Sequence, residues 1–356
     1  MTKKTRYFVL GAGAVLVVGL GGGLIAYLAY NRVAGMPAGV PPEMRYVPAN
    51  ATVVAFADVQ AVMNSELRRS LMSSIDPESR KGRRMMNDFA GMDVEKQVNR
   101  VVAYVEPYNA PAPQTQAKPD IPRALLLLQG SFDPARLEAF IREHGGAIDD
   151  YKGRKIFVHS EHDHELALGV VGSDLIAMGQ ADLVRGVLDV SQASGLATNI
   201  TSNAEMMNLI RDNAGSTAWV VGQFEEIRRR MRLPNGVAQQ VPPIRLVSVK
   251  ANINGGVKAT IRAEAGDKAA ADQLRDVVRG FISLARLQGG AKPEIDGLLK
   301  SIELSGNDAS VRLSVAVSPE ALRVIAPGPR RRGNLDPAPP AAPAPPAPPP
   351  NPAPAK

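Results

Sequence analysis

A chain of 356 residues exceeds one typical domain, and 45% hydrophobic with 22% charged content is ordinary for a protein that buries a core. A formal charge of +7 and a pI near 9.6 favour anionic partners, whether lipid headgroups, nucleic acid or acidic polymers, without choosing among them. The chain has no cysteine, which excludes disulfides, thiolate metal sites, a thiol nucleophile and a lipid-modified cysteine. Aromatics make up only 4%, so the core must rest on Ala, Val, Leu, Ile and Met.

Residues 1–6 are short and basic, with Lys3, Lys4 and Arg6. Tyr7–Tyr30 then gives 24 consecutive uncharged residues. As a helix this stretch extends roughly 36 Å, enough to cross a hydrocarbon core of ~30 Å. Tyr7, Tyr27 and Tyr30 stand where an interfacial aromatic belt belongs. Three basic residues before the stretch against Arg32 and Arg45 after it favour an N-terminus inside and a body outside. A dinucleotide-binding loop at Gly11-Ala12-Gly13 is rejected. Leu16 occupies the position of its third glycine, and Asn31 and Arg32 stand where its acidic residue belongs. The apolar core is longer than the ~7–15 residues of a cleaved signal. Gly21-Gly22-Gly23 shortens its effective helix and Val33 and Gly35 offer a cleavage pair, so a processed leader stays the alternative. Gly19 and Gly23 form a GxxxG pair through which two such helices could pack as a homodimer, although glycine is common in membrane helices anyway.

Residues 31–48, with four prolines and two glycines, read as an extended linker. Two α+β lobes are expected after it, at 49–195 and 196–328. In the first, the strand Thr52–Ala57 runs into a helix capped by Asp58, with Val59, Met63, Leu67, Leu71 and Ile75 on one stripe. A second helix opens at Asp76-Pro77 and stops at Gly91. Strands Arg100–Glu106 and Arg123–Gly130 flank a proline-rich loop that cannot be a sheet interior. Asp133-Pro134 opens a helix with Leu137, Phe140 and Ile141 inward, ending at Gly145-Gly146. Strands Lys155–Ser160, Leu166–Val171 and Leu175–Gly179 and a helix over Leu183–Val190 complete the lobe.

The second lobe repeats the pattern. Strand Ser216–Val221 leads into helix Phe224–Met231, and Arg245–Ile253 pairs with Val257–Glu264 across Asn254-Gly255-Gly256. Helix Lys268–Leu287 turns Leu274, Val277, Val278, Phe281, Leu284 and Ala285 to one face. A hairpin, Ser301–Ser305 with Ser310–Val317, precedes a helix capped by Ser318-Pro319 and running through Ile325. Helices packed on hairpins point to an antiparallel α+β fold, and the recurring order points to a diverged duplication. Residues 329–356 form a basic, Pro/Ala-rich tail. From Pro337 to Lys356, 11 of 20 residues are proline and seven alanine, a composition for extended polyproline II and not for a core.

All four histidines lie within 144–164. In an extended segment His162 and His164 point to one face, and with Glu161 or Glu165 as a third ligand they would suit Zn, Ni, Cu or Mn. The same residues also suit the exposed tip of a hairpin, which needs no metal. Arg228-Arg229-Arg230 could meet a polyanion, but Glu225 and Glu226 lie four residues ahead of Arg229 and Arg230, the self-pairing geometry of a solvated helix face. Arg330-Arg331-Arg332 lacks such neighbours and is the better electrostatic contact. GxSxG, HExxH and GxxxxGK[ST] motifs are missing, and no cofactor is implied.

The lead-in Tyr46-Val47-Pro48-Ala49-Asn50-Ala51, the step Gly130-Ser131-Phe132-Asp133 and the turn Tyr151-Lys152-Gly153 follow an uncleaved anchor. Together they resemble a loose group of bacterial membrane-anchored proteins of unknown function with duplicated α+β halves. The resemblance covers residues 45–325, leaves the tail outside, and implies architecture alone, since its motifs are turns and caps. The resulting expectation is a single-pass inner-membrane protein displaying a non-enzymatic binding or scaffolding body in the bacterial envelope. Its partners would be an envelope protein or an anionic polymer, and an outside location removes nucleic acid. The alternative is a metal-dependent enzyme or sensor built on His162 and His164.

Overall fold

The computed structural model describes residues 39–73, 88–89, 92–107, 123–143, 146–161, 164–193, 198–230, 242–289 and 293–325. In chain order its strands are β1 (Val53–Asp58), the short pair β2 (Asp88–Phe89) and β3 (Met92–Asp93), β4 (Val98–Val105), β5 (Ala124–Gly130), β6 (Ala147–Tyr151), β7 (Arg154–Glu161), β8 (His164–Val170), β9 (Leu175–Gln180), β10 (Ala218–Gln223), β11 (Ile244–Ile253), β12 (Val257–Ala265), β13 (Glu303–Ser305) and β14 (Ser310–Val317). The helices are α1 (Val59–Asn64), α2 (Glu66–Ser73), α3 (Val94–Gln97), α4 (Pro134–Glu143), α5 (Ala181–Gln192), α6 (Ala204–Asn213), α7 (Phe224–Arg230), α8 (Lys268–Gly289), α9 (Pro293–Lys300) and α10 (Pro319–Ile325).

Apart from β2 and β3, the described strands join one antiparallel sheet, in the order β13-β14-β12-β11-β10-β1-β4-β5-β9-β8-β7-β6. The two halves therefore share a sheet, joined where Val53–Ala57 of β1 pairs with Ala218–Gly222 of β10. Outward from this seam, β10-β11-β12-β14-β13 repeats the chain order of β1-β4-β5-β9-β8. The registers keep step as well. Ala55, Ala103, Leu126, Met178 and Leu168 pair in sequence on one side. Val220, Val249, Ile261, Leu313 and Leu304 do so on the other. Ala55 faces Val220 at the centre, so the halves are related by an approximate two-fold axis normal to the sheet.

The front face carries Val54, Phe56, Val102, Tyr104, Leu125, Leu127, Trp219 and Val221. Over it lie α5, through Val184, Val187 and Leu188, and α6, through Met206, Met207 and Ile210. The back face is covered by α1 and α4 on one half and by α7 to α10 on the other. On β11 to β14 the front face turns polar, with Lys250, Thr260, Arg262, Glu264 and Ser314 half-buried and Arg312 exposed. That alternation is what one-sided burial of an antiparallel sheet demands. Arg262 and Arg312 stand opposite each other, an unfavourable like-charge pairing. Asp212 (2.6 Å) and Glu264 (2.6 Å) offset it on Arg262.

Several local expectations change. Residues 39–48, expected as the end of an extended linker, belong to the core: Pro42–Tyr46 forms a 3-10 turn with Met44, Tyr46 and Val47 buried. Val47 O accepts from Ile200 N at 2.8 Å, and Asn203 Nδ2 donates to Ala49 O at 3.1 Å, stitching this lead-in to the segment ahead of β10. The single helix expected after Asp58 breaks at Ser65. The Ser65 hydroxyl donates to Val62 O (2.6 Å) and accepts from Arg68 N (3.2 Å), closing α1 and opening α2. Replacing Ser65 by alanine should lower stability by about 1 kcal/mol, as cap losses do; chemical denaturation followed by circular dichroism reads it directly.

The helix expected from Asp76 to Gly91 lies mostly outside the described residues, and β2 occupies Asp88–Phe89 within that span. Strand β6 was not expected. It is joined to β7 by a two-residue turn with Lys152 at φ 55° and Gly153 at φ 79°, the primed geometry that matches hairpin twist. Helices α6 and α9 were also unanticipated. Asn203 caps α6 by accepting from Met206 N at 3.1 Å. On α8 only Ala271 and Leu274 are buried, while Val277, Val278, Phe281, Leu284 and Ala285 are half-buried.

Candidate functional site

Of the proposed metal ligands, His164 and Glu165 open β8, where they pair with Glu161 and Ser160 of β7. His162 lies outside the described residues, as do the side chains of His159 and His164. Glu165 is exposed and engaged with Arg185 at 3.3 Å. Among the described residues no three His, Asp or Glu side chains gather as metal ligands would. Of the triple arginine, Arg228 pairs with Glu225, three residues back, at 2.8 Å. Glu226 is buried, not solvated, and the side chains of Arg229 and Arg230 lie outside the described residues.

An open cleft of about 460 Å³ lies between α4 and strands β7 and β8, lined by Pro134, Glu138, Arg154, Lys155, Phe157 and Val170. Asp133 positions the helix by accepting from Ala135 N (2.9 Å) and Arg136 N (3.3 Å). On the cleft rim Glu138 takes Lys155 and Arg142, both at 2.7 Å. Those hydrogen bonds, Lys155 first, hold its carboxyl below the usual range. Arg154 donates to Val171 O at 2.8 Å. Glu138 and Lys155 are thus committed to each other and Arg154 to the backbone, beside the apolar lining of Phe157 and Val170. Such a cleft is in the size range that admits a small molecule, but it pairs no base with a nucleophile.

The more unusual chemistry is at the lead-in. Glu43, on the 3-10 turn, keeps only 5% of its side chain exposed and accepts from Arg100 Nη2 at 3.0 Å. Its second oxygen, like Arg100 Nε, is buried without a hydrogen-bond partner. Asp58 stands opposite Arg100 in the sheet. Burial raises its carboxyl pKa, and the α1 cap bond from Ala61 N (2.7 Å) and the Arg100 charge oppose that only in part. Such raised values accompany functional sites and structural ion pairs alike. For a folded pKa raised above the unfolded one, the folded state binds the extra proton in the window between them, so stability there falls as pH rises. Asp58→Asn, which can still cap α1, should flatten that acid-side slope in a stability-versus-pH titration just above pH ~4.

At the opposite end of the sheet, Arg123 ties Glu106 (3.0 Å) and Asp182 (2.6 Å) together beside buried Tyr104. These bonds, Asp182 first, raise the guanidinium pKa, while burial raises that of the Tyr104 phenol. Asp189 of α5 takes Lys152 Nζ (2.6 Å) and Tyr151 Oη (3.0 Å), fastening the helix to the β6–β7 turn. Sequence reading passed over Glu43, Arg100, Arg123 and Asp182, because partners 57 and 59 positions apart leave no motif.

The class defined by these features is an antiparallel α+β protein with helices on both sheet faces and its charged groups spent on fastening elements. No family model matches the chain, and no curated protein does. Among solved structures it is similar to crystal form III of TP0453 (12% identity, TM-score 0.44) and crystal form I (11%, 0.43). Each comparison covers 82% of this chain and 98% of the other.

Proposed function

We propose that the chain is a membrane-anchored, extracytoplasmic scaffolding or binding protein of the bacterial envelope, with its body a diverged duplication of one α+β unit. The observation that carries this reading is the uncharged run Tyr7–Tyr30, ahead of a body that starts by residue 42. Only helix satisfies the backbone of such a run in hydrocarbon. A scaffold, as opposed to a catalyst, is supported by the way Glu138, Arg123, Asp189 and Arg262 are consumed in links between elements. The full-length chain should pellet with membranes and resist alkaline extraction, whereas a chain starting at residue 39 should be recovered in the soluble fraction. A carboxy-terminal phosphatase fusion should be active only outside the cytoplasm. Recovery of the full-length chain as a soluble protein would overturn the anchor, and a fusion active only inside would reverse its direction.

A further inference from the structure

Two large hydrophobic side chains are exposed among the described residues, Leu166 at 42% and Leu287 at 83%. Leu287 ends an apolar run on α8 in which Phe281, Ile282 and Leu284 are only half-buried. The place of this helix end follows from its contacts. Arg286, next to Leu287, donates to Leu299 O at 3.4 Å, and neighbouring Leu298, like Val257, packs against the cluster of Ala259, Val315, Val317 and Ala321. Val257 opens β12 and Val317 closes β14, so the helix end lies at that end of the sheet.

The chain's entry lies at the same end. A row of paired residues runs Val315, Ala259, Ala251, Ala218 and Ala57 across the sheet, and the next pair is Asp58 with Arg100. Arg100 holds Glu43 of the lead-in. Eight residues, 31–38, separate the uncharged stretch from the first described residue. Fully extended they span at most about 30 Å, which keeps this end of the body close to whatever holds residues 7–30. Leu166, paired with Gln180 next to the Arg123 end, points the other way along the sheet.

From this juxtaposition we propose that the C-terminal turn of α8, led by Leu287, lies in the interface of the bilayer that anchors the chain. The inference rests on the membrane reading given above. A phospholipid interface fits the chemistry. It accepts an apolar helix face laid in its plane, and exposed Arg279 and Arg286 can keep their charged heads at the headgroups. The body would then be held at two points, which fixes its orientation as well as its distance from the membrane.

Because the chain has no cysteine, Leu287→Cys and Leu166→Cys each give one labelling site on an exposed position. The full-length variants would be labelled with an environment-sensitive dye and reconstituted in liposomes with and without brominated phospholipid. The expected result is at least about twofold quenching at position 287 and none at 166. Absence of quenching at 287 in chains that float with the liposomes would overturn the inference and leave the membrane reading standing. Equal quenching at both positions would also overturn it, since the body would then have no fixed orientation. A chain that fails to float with the liposomes would remove the membrane reading, and this inference with it.

Discussion

Replacing Trp219 by alanine should lower the unfolding free energy by about 3–5 kcal/mol, the usual cost of emptying a large aromatic site. Trp219 is 1% exposed, in β10, on the seam that joins the two halves. Its ring stacks on Phe56 of β1 at 5.6 Å and 24°, so the cavity would open in the pairing that makes one sheet out of two units. Below it are front-face strands and above it the lead-in and α6, which leave little to collapse inward. Trp219→Phe tests the account from the other side. It keeps the stacked ring and removes an indole N–H that is buried without a partner, a feature costing about 1–3 kcal/mol. The smaller ring and the lost N–H should nearly cancel, for a net change within about 1.5 kcal/mol. Denaturation followed by far-UV circular dichroism compares the three chains, because the alanine and phenylalanine variants lose the only tryptophan. A loss below about 1 kcal/mol for alanine would mean that the seam is not a packed core.

Much of this architecture could be read in advance where one local signal controlled it. Strands β11 and β12 were bounded to within a residue because Asn254-Gly255-Gly256 dictates a tight turn between two apolar runs. Asp133-Pro134 and Ser318-Pro319 located α4 and α10 because a capping side chain and a fixed φ act on the first turn alone; Ser318 Oγ accepts from Ala321 N at 3.2 Å. Where tertiary packing decides, sequence was a poorer guide. Val59, Met63 and Leu67 are all buried, but Ser65 interrupts the helix between them with two bonds of its own, and Leu67 packs with Val62 and Ile253, apart from Val59 and Met63. α6 carries Met206, Met207, Leu209 and Ile210 behind a capping Asn203, a pattern that was present but sits in a polar stretch after residue 193. The continuity of the sheet was not legible at all, because β1 and β10 meet across some 165 residues with nothing local to announce it.

Site residues show the same division. Clustering in sequence drew attention to His162, His164 and the triple arginine. Arg228 of that set, and Glu165 beside the histidines, are engaged in ion pairs with Glu225 and Arg185. Buried Glu43, with one oxygen unpartnered, and its half-buried partner Arg100 come instead from a proline-rich lead-in and an ordinary-looking strand. Glu43 falls within the stretch 31–48 that was expected to be an extended linker. It is inside because Met44, Tyr46 and Val47 around it are drawn under α5 and α6, and Arg100 is what the sheet presents there.

That pair yields the second large effect. Arg100→Ala should cost about 3–5 kcal/mol, because it leaves a buried carboxylate without its cation and with one oxygen already unpartnered. The converse change should be milder. In Glu43→Ala the stranded group is Arg100, whose side chain is 28% exposed and can turn toward water. A loss of about 1–3 kcal/mol is expected there, set by one lost charge-assisted hydrogen bond and the packing of the turn. Combining the two changes should recover part of the Arg100→Ala loss, since the cost lies in the orphaned carboxylate more than in the missing bond. The cycle is measured by denaturant titration of the four chains. Strict additivity would show that Glu43 and Arg100 do not depend on each other, and a greater loss for Glu43→Ala than for Arg100→Ala would show that the cation is the costly partner. A coupled result would instead make the carboxylate a latch. The lead-in, already buried through Met44, Tyr46 and Val47, would then be fastened to the sheet by a cation contributed by β4.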